Sequence, residues 1–207
     1  MGQTSPSKLT NERNWKLAQQ AASHCNKTFT KEIKQTKKDQ KDVTGKYISS
    51  SLNCSPNFIG CFAENELEQL TISSFPSFLI VNIDSSNLPG SHWIAIGIFN
   101  DKIEIFDSLG FDIFNWSNVP CSLLVFLHRL SVTRRVFTAP RIQSQTSLLC
   151  GFYAMYYVIA RKFISFDLLF KCFCTTYFKR NDRILYDFFK NANRFQNNKE
   201  TLSKNKQ

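Results

Sequence analysis

With 207 residues, 43% of them hydrophobic, the chain is long enough for one well-packed domain with tails. Every apolar run is broken by Gly, Asn, Asp or Lys before it reaches the roughly 18 residues of a membrane span, so no transmembrane helix is expected. The net charge of +10 is uneven: residues 1–46 carry ten Lys or Arg against four Asp or Glu, residues 179–207 carry eight against three, and the stretch between them is near neutral at −1.

The start, Met1-Gly2-Gln3-Thr4-Ser5-Pro6, has Pro6 where a myristoylation signal needs Ser or Thr, so a lipid anchor is not expected. Lys27, Lys31, Lys34, Lys37, Lys38 and Lys41 follow, mixed with Gln, Thr and Asp and with few apolar residues to anchor a helix. Residues 1–46 therefore read as a basic, disordered N-terminal arm. Residues 47–195 read as the folded domain and 196–207 as a polar basic tail. Basic arms on a near-neutral domain suit a polyanion, because each neutralised phosphate releases condensed counterions, so non-specific DNA binding is an expected partnership. A solvated basic tail without a specific partner explains the charge nearly as well.

Within the domain, alternating and β-branched runs predict strands near Phe78 to Ile83, Trp93 to Phe99, Lys102 to Phe106 and Arg135 to Thr138. Helices are predicted near Cys121 to Leu130, Cys150 to Lys162, Ser165 to Phe173 and Asn181 to Asn191. The fold class is α+β, with a small mixed or largely antiparallel sheet packed against a central helix. Asn100-Asp101 suits a two-residue hairpin turn. If Phe99 pairs with Lys102, Asp107 falls opposite Ile94 and His92 lies one diagonal step away, about 7 to 8 Å between backbones. Phe163, Phe166, Phe170, Phe173 and Phe178, interleaved with Ile164, Leu168 and Leu169, read as the buried face of the terminal helices. A stacking platform for single-stranded nucleic acid is the weaker reading.

Four polar residues stand at the edges of these apolar segments: His92, Asp107, Gln143 and Cys150. A cysteine protease requires such a set, namely a thiol, a base to ionise it, an acid to orient the base and a donor for the developing oxyanion. Cys150 falls at the predicted start of a helix, where unpaired amides and the macrodipole favour the thiolate. Ser147 or Thr146 is the expected cap of that helix. Gln145 is the rival of Gln143 for the donor role. His24 and His128 lack partners of this kind and read as structural or surface residues.

The remaining cysteines, Cys25, Cys54, Cys61, Cys121, Cys172 and Cys174, form no C-x-x-C pair or Cys/His quartet, so no structural metal is expected. Seven cysteines without a signal-peptide-like start suggest reduced thiols in an intracellular setting rather than a secreted disulfide framework.

From about Leu52 to Phe189 the sequence resembles the adenovirus-type maturation proteases and their relatives in Polinton/Maverick-like elements, in the clan that contains SUMO-specific proteases. The resemblance rests on Cys54-Ser55-Pro56-Asn57-Phe58-Ile59-Gly60, Phe75-Pro76-Ser77-Phe78, His92-Trp93, Phe106-Asp107-Ser108-Leu109-Gly110-Phe111, and Gln143 seven residues before Cys150-Gly151. It implies Cys150 as nucleophile, His92 as general base and acid, Asp107 as the group orienting His92, and Gln143 as oxyanion donor beside the Cys150 N–H. It also implies hydrolysis of capsid or core precursor proteins, often after Gly-containing sites, non-specific binding to viral DNA, no cofactor for the chemistry, a monomer, and a location in the nucleus, viral factory or virion.

Two departures stand out. The adenoviral enzymes carry Glu where this chain has Asp107. They are also activated by a peptide disulfide-bonded to a cysteine eighteen residues before the nucleophile, where this chain has Val132, so such an activator is in doubt, and Cys121 replaces that cysteine only if the strand is re-routed. The alternatives are a deconjugating protease for ubiquitin-like modifiers, a non-catalytic DNA-binding or virion-associated protein of the same fold, and an unrelated nucleic-acid-binding module.

Overall fold

The computed structural model describes residues 6–26, 28–39, 42–112 and 119–204, with 6–10 and 193–204 described as helical backbone. In chain order the elements are α1 (Pro6–Cys25), α2 (Phe29–Asp39), α3 (Gly45–Leu52), β1 (Phe58–Ala63), β2 (Ser77–Asn82), β3 (Trp93–Ile98), β4 (Lys102–Phe106), α4 (Cys121–Ser131), β5 (Arg135–Thr138), α5 (Cys150–Ala160), α6 (Phe166–Leu169) and α7 (Asn181–Lys204). The fold is α+β, and its five strands run in the order β1-β2-β3-β4-β5. The outer pairs are parallel and the two inner pairs antiparallel, so the sheet is mixed.

Strand periodicity divides the core into two layers. On β3 and β4, Ile94, Ile96, Ile98, Ile103 and Ile105 point to the face covered by α4, through Leu123, Phe126 and Leu127. Ala95 and Phe106, together with Phe78 and Ile80, point to the opposite face, where the wholly buried α5 packs. A helix that is apolar all round must be enclosed, and α1, α3 and α7 enclose it.

The β3–β4 hairpin has the expected register. Phe99 N–H donates to Lys102 O at 2.9 Å, and the ladder runs from Ile98 opposite Ile103 to Ala95 opposite Phe106, one residue short of Asp107. β4 and β5 have the predicted bounds, and β2, β3, α4 and α5 differ from theirs by one or two residues at an end. Strand β1 was not predicted; it carries Gly60 at φ 145 beside a register shift and pairs in parallel, a contact that no local turn signals. The helix predicted over Ser165 to Phe173 is only the single turn of α6.

The expectation of a disordered arm over residues 1–46 is corrected. Residues in α1 and α2 form helices, and Ala18, Ala22, Phe29 and Ile33 are buried. Trp15 meets Phe188 edge-on with ring centroids 5.1 Å apart, and Phe29 meets Phe189 at 4.4 Å. Spacings of four residues put Ala18 with Ala22 and Phe29 with Ile33 on common helix faces, and α7 supplies the partner that makes these short stripes sufficient. The tail expected over 196–207 is likewise helical backbone as far as Lys204, with 205–207 outside the described residues. Of the five phenylalanines after α5, Phe166 and Phe173 are buried, Phe163 and Phe170 pack partly buried against the core, and Arg141 stacks on the half-buried Phe178.

Candidate active site

The site forms where the start of β3, the end of β4 and the first turn of α5 converge. His92 immediately precedes β3 and is 5% exposed; Asp107 immediately follows β4 and is 2% exposed. His92 Nε2 lies 2.8 Å from Asp107 Oδ1. With the Nε2 proton committed to the carboxylate, Nδ1 is the ring nitrogen left with a lone pair.

Asp107 is held by its own turn. Leu109 N–H donates to Asp107 Oδ1 at 2.8 Å, and Gly110 N–H donates to Asp107 O at 3.0 Å. Gly110 has φ 68, and a Cβ there would lie 2.5 Å from Arg141 N, so both conformation and close approach require glycine. The other carboxylate oxygen, Asp107 Oδ2, is buried without a hydrogen-bond partner among the described residues.

The same turn fixes Gln143. Ser108 O accepts from Ile142 N–H at 2.9 Å and Gln143 N–H at 2.8 Å. Ser108 Oγ donates to Gln143 Oε1 at 2.5 Å, and Gln143 Nε2 donates to Ser147 O at 2.7 Å. Gln143 is therefore buried and orientationally locked, with one Nε2 hydrogen beyond the Ser147 bond. Gln145 is exposed. His24 and His128 are exposed on α1 and α4 and lie outside the site.

Cys150 opens α5 and is 4% exposed. The expected cap is absent: Leu149 occupies the N-cap position without a side-chain bond, and Ser147 Oγ instead donates to Asp182 at 2.9 and 3.0 Å. A residue outside the sequence-predicted set reaches the nucleophile instead: Cys150 Sγ donates to Asp42 Oδ2 at 2.5 Å. The thiol thus bonds to Asp42, and the hydrogen bond of His92 goes to Asp107.

Burial, then the adjacent Asp42 charge and the hydrogen bond to it, push the Cys150 thiol well above its ordinary range, against the pull of the Trp93 and Gly151 N–H groups. Burial also raises Asp42, opposed by the Cys150 bond, by the N–H groups of Val43 and Gly151, and by the charge of His92.

The only sequence signal near Asp42 was the Thr44-Gly45 helix start, where Thr44 Oγ1 accepts from Tyr47 N–H at 3.2 Å. That places a helix, not a contact across 108 residues. Among the described residues no group of three or more His, Cys, Asp or Glu could hold a metal ion, and no helix is long and apolar enough to cross a membrane. Comparison with protein-family models and with curated proteins gives no match.

Proposed function

We propose that this chain is a cysteine endopeptidase of the adenovirus-type maturation class, cleaving capsid or core precursor proteins through a thioester acyl-enzyme. The observation that carries the reading is the buried His92–Asp107 pair at 2.8 Å, set at the ends of strands on which a buried helix beginning with Cys150 packs. His92 Nδ1 takes the thiol proton, the sulfur attacks the peptide carbonyl, and the amine leaves with the proton returned from His92. Water then attacks the thioester, again with His92 as base. Asp107 holds the ring and offsets the imidazolium charge. The substrate class rests on the sequence resemblance.

An electrophilic peptide probe ending in Gly tests the reading. It is expected to label native protein at Cys150 and to leave Cys150→Ala unlabelled. Labelling at other cysteines only, in folded protein, refutes it. Faster labelling with duplex DNA, lost at high salt, is the result expected if the basic helices bind DNA; Lys31, Lys34, Lys37 and Lys38 of α2 are exposed, with Lys37 paired to Asp182 at 3.5 Å. No effect of DNA removes that partner from the proposal.

Gln143 carries a second prediction. If its remaining Nε2 hydrogen meets the oxyanion, Gln143→Ala lowers acylation by about 10²–10³-fold, whereas Gln145→Ala leaves it unchanged. Rates of acyl-enzyme formation for the two variants decide between them, and equal losses would remove the assignment.

A further inference from the structure

The segment Asp42-Val43-Thr44 crosses the start of α5 and is fastened on both sides. Trp93 Nε1 donates to Val43 O at 3.1 Å, and Thr44 caps α3. Val43 N–H donates to Asp42 Oδ1 at 2.7 Å, fixing the carboxylate to its own backbone. A Cβ on Gly151 would lie 2.5 Å from Val43 Cγ2, so the absence of a side chain at Gly151 lets the segment settle directly over the nucleophile's helix turn.

A groove of about 700 Å³ reaches this point, bordered by Asp42, Thr44, Asp84, Pro89, Trp93 and Leu148. Asp42 lines it and Cys150 does not. The carboxylate thus forms part of the groove wall and touches the sulfur. A carboxylate in direct contact with the sulfur disfavours the thiolate, so its effect opposes acylation.

We propose that residues 42–44 form a built-in inhibitory strap, in which the Asp42 carboxylate sits against the Cys150 sulfur and blocks its use as a nucleophile until the strap is displaced. The strap rests on the proteolytic reading for its meaning, but its contact with the sulfur can be tested separately. During release, the S–H···O bond breaks, Cys150 passes its proton to His92 Nδ1, and Asp42 leaves as a carboxylate with no net change in its own protonation.

Alkylation of Cys150 by iodoacetamide, followed by peptide mapping across a pH series, reads the thiolate without peptide chemistry. Asp42→Asn is expected to react at least about tenfold faster near neutral pH, the effect of a one-unit fall in the thiol pKa, and to label faster with the Gly-ended peptide probe. Trp93→Phe removes the indole N–H that holds Val43 O and is expected to give a smaller change of the same sign, which keeps the test available should Asp42→Asn fold poorly. Unchanged or slower alkylation in both folded variants overturns the strap. Faster alkylation with no peptide labelling in native or variant protein supports the hold on the thiol and counts against proteolysis. Faster alkylation with slower peptide labelling than native overturns inhibition and makes Asp42 a positioning residue.

Discussion

Replacing His92 by Ala is expected to slow acylation of Cys150 by about 10²–10⁴-fold near neutral pH, the usual range for a positioned general base. The reason lies in the surroundings of the sulfur. Burial and Asp42 hold the thiol protonated, so without an imidazole to take the proton the nucleophile ionises only at high pH. The deficit of His92→Ala should therefore shrink as pH rises, because hydroxide then does the work of the base. Rates of peptide-probe labelling from about pH 6 to about pH 10 measure this. A constant deficit across that range, or native-like rates in the variant, would show that His92 is not the base. Asp107→Ala should give a smaller loss, since the imidazole remains but loses its 2.8 Å partner.

The residues of this pair were legible in the sequence because both stand on one hairpin. Alternation fixed the strands, Asn100-Asp101 fixed the turn, and the register followed, which is why His92 and Asp107 meet as expected. Cys150 was legible for a similar local reason, being the last polar position before an apolar run too long for a strand. What failed to show depends on long-range packing. Ala18, Ala22 and Ile33 look unremarkable in a lysine-rich segment until α7 lies beside them, and β1 is a strand only because β2 pairs with it. Asp42 is the clearest case: it was counted as one of four acidic residues in a basic arm, yet it reaches the nucleophile. Counting charge says nothing about where a carboxylate points.

Glu104 shows the same limit and carries the largest expected effect on stability. It lies on β4 with no exposed surface, a charged side chain within an otherwise apolar stretch of the strand. Arg161 grips it with two bonds, Nε to Oε2 at 2.6 Å and Nη2 to Oε1 at 2.9 Å. Tyr157 Oη donates at 3.0 Å, and Lys102 Nζ lies 2.8 Å from Oε1. These bonds fasten the C-terminal end of α5 to the sheet. Gly97 leaves the space for Tyr157, because a Cβ there would fall within 2.1 Å of its hydroxyl. Since Tyr157 is seven residues along the helix from Cys150, roughly 10 Å by helical rise, the clamp sets the line on which the nucleophile sits.

Glu104→Gln keeps the shape of the side chain but turns one acceptor into a donor facing cationic groups. Removing one member of a buried ion pair costs about 3–5 kcal/mol, which for a domain of this size lowers Tm by on the order of 10 °C. The effect has a defined pH dependence. Burial acts to raise the Glu104 pKa, but the bonds from Arg161 and Lys102 outweigh it and hold the group below its ordinary 4.5. A carboxyl depressed in the folded state contributes stability above its unfolded pKa and loses it as pH falls through the folded value. The Tm gap between native protein and Glu104→Gln should therefore be widest near neutral pH and narrow below about pH 4.5. A gap that stays constant into acid would mean that the native clamp does not depend on the charge of Glu104. A small gap at neutral pH would mean that α5 is held by its apolar surface alone.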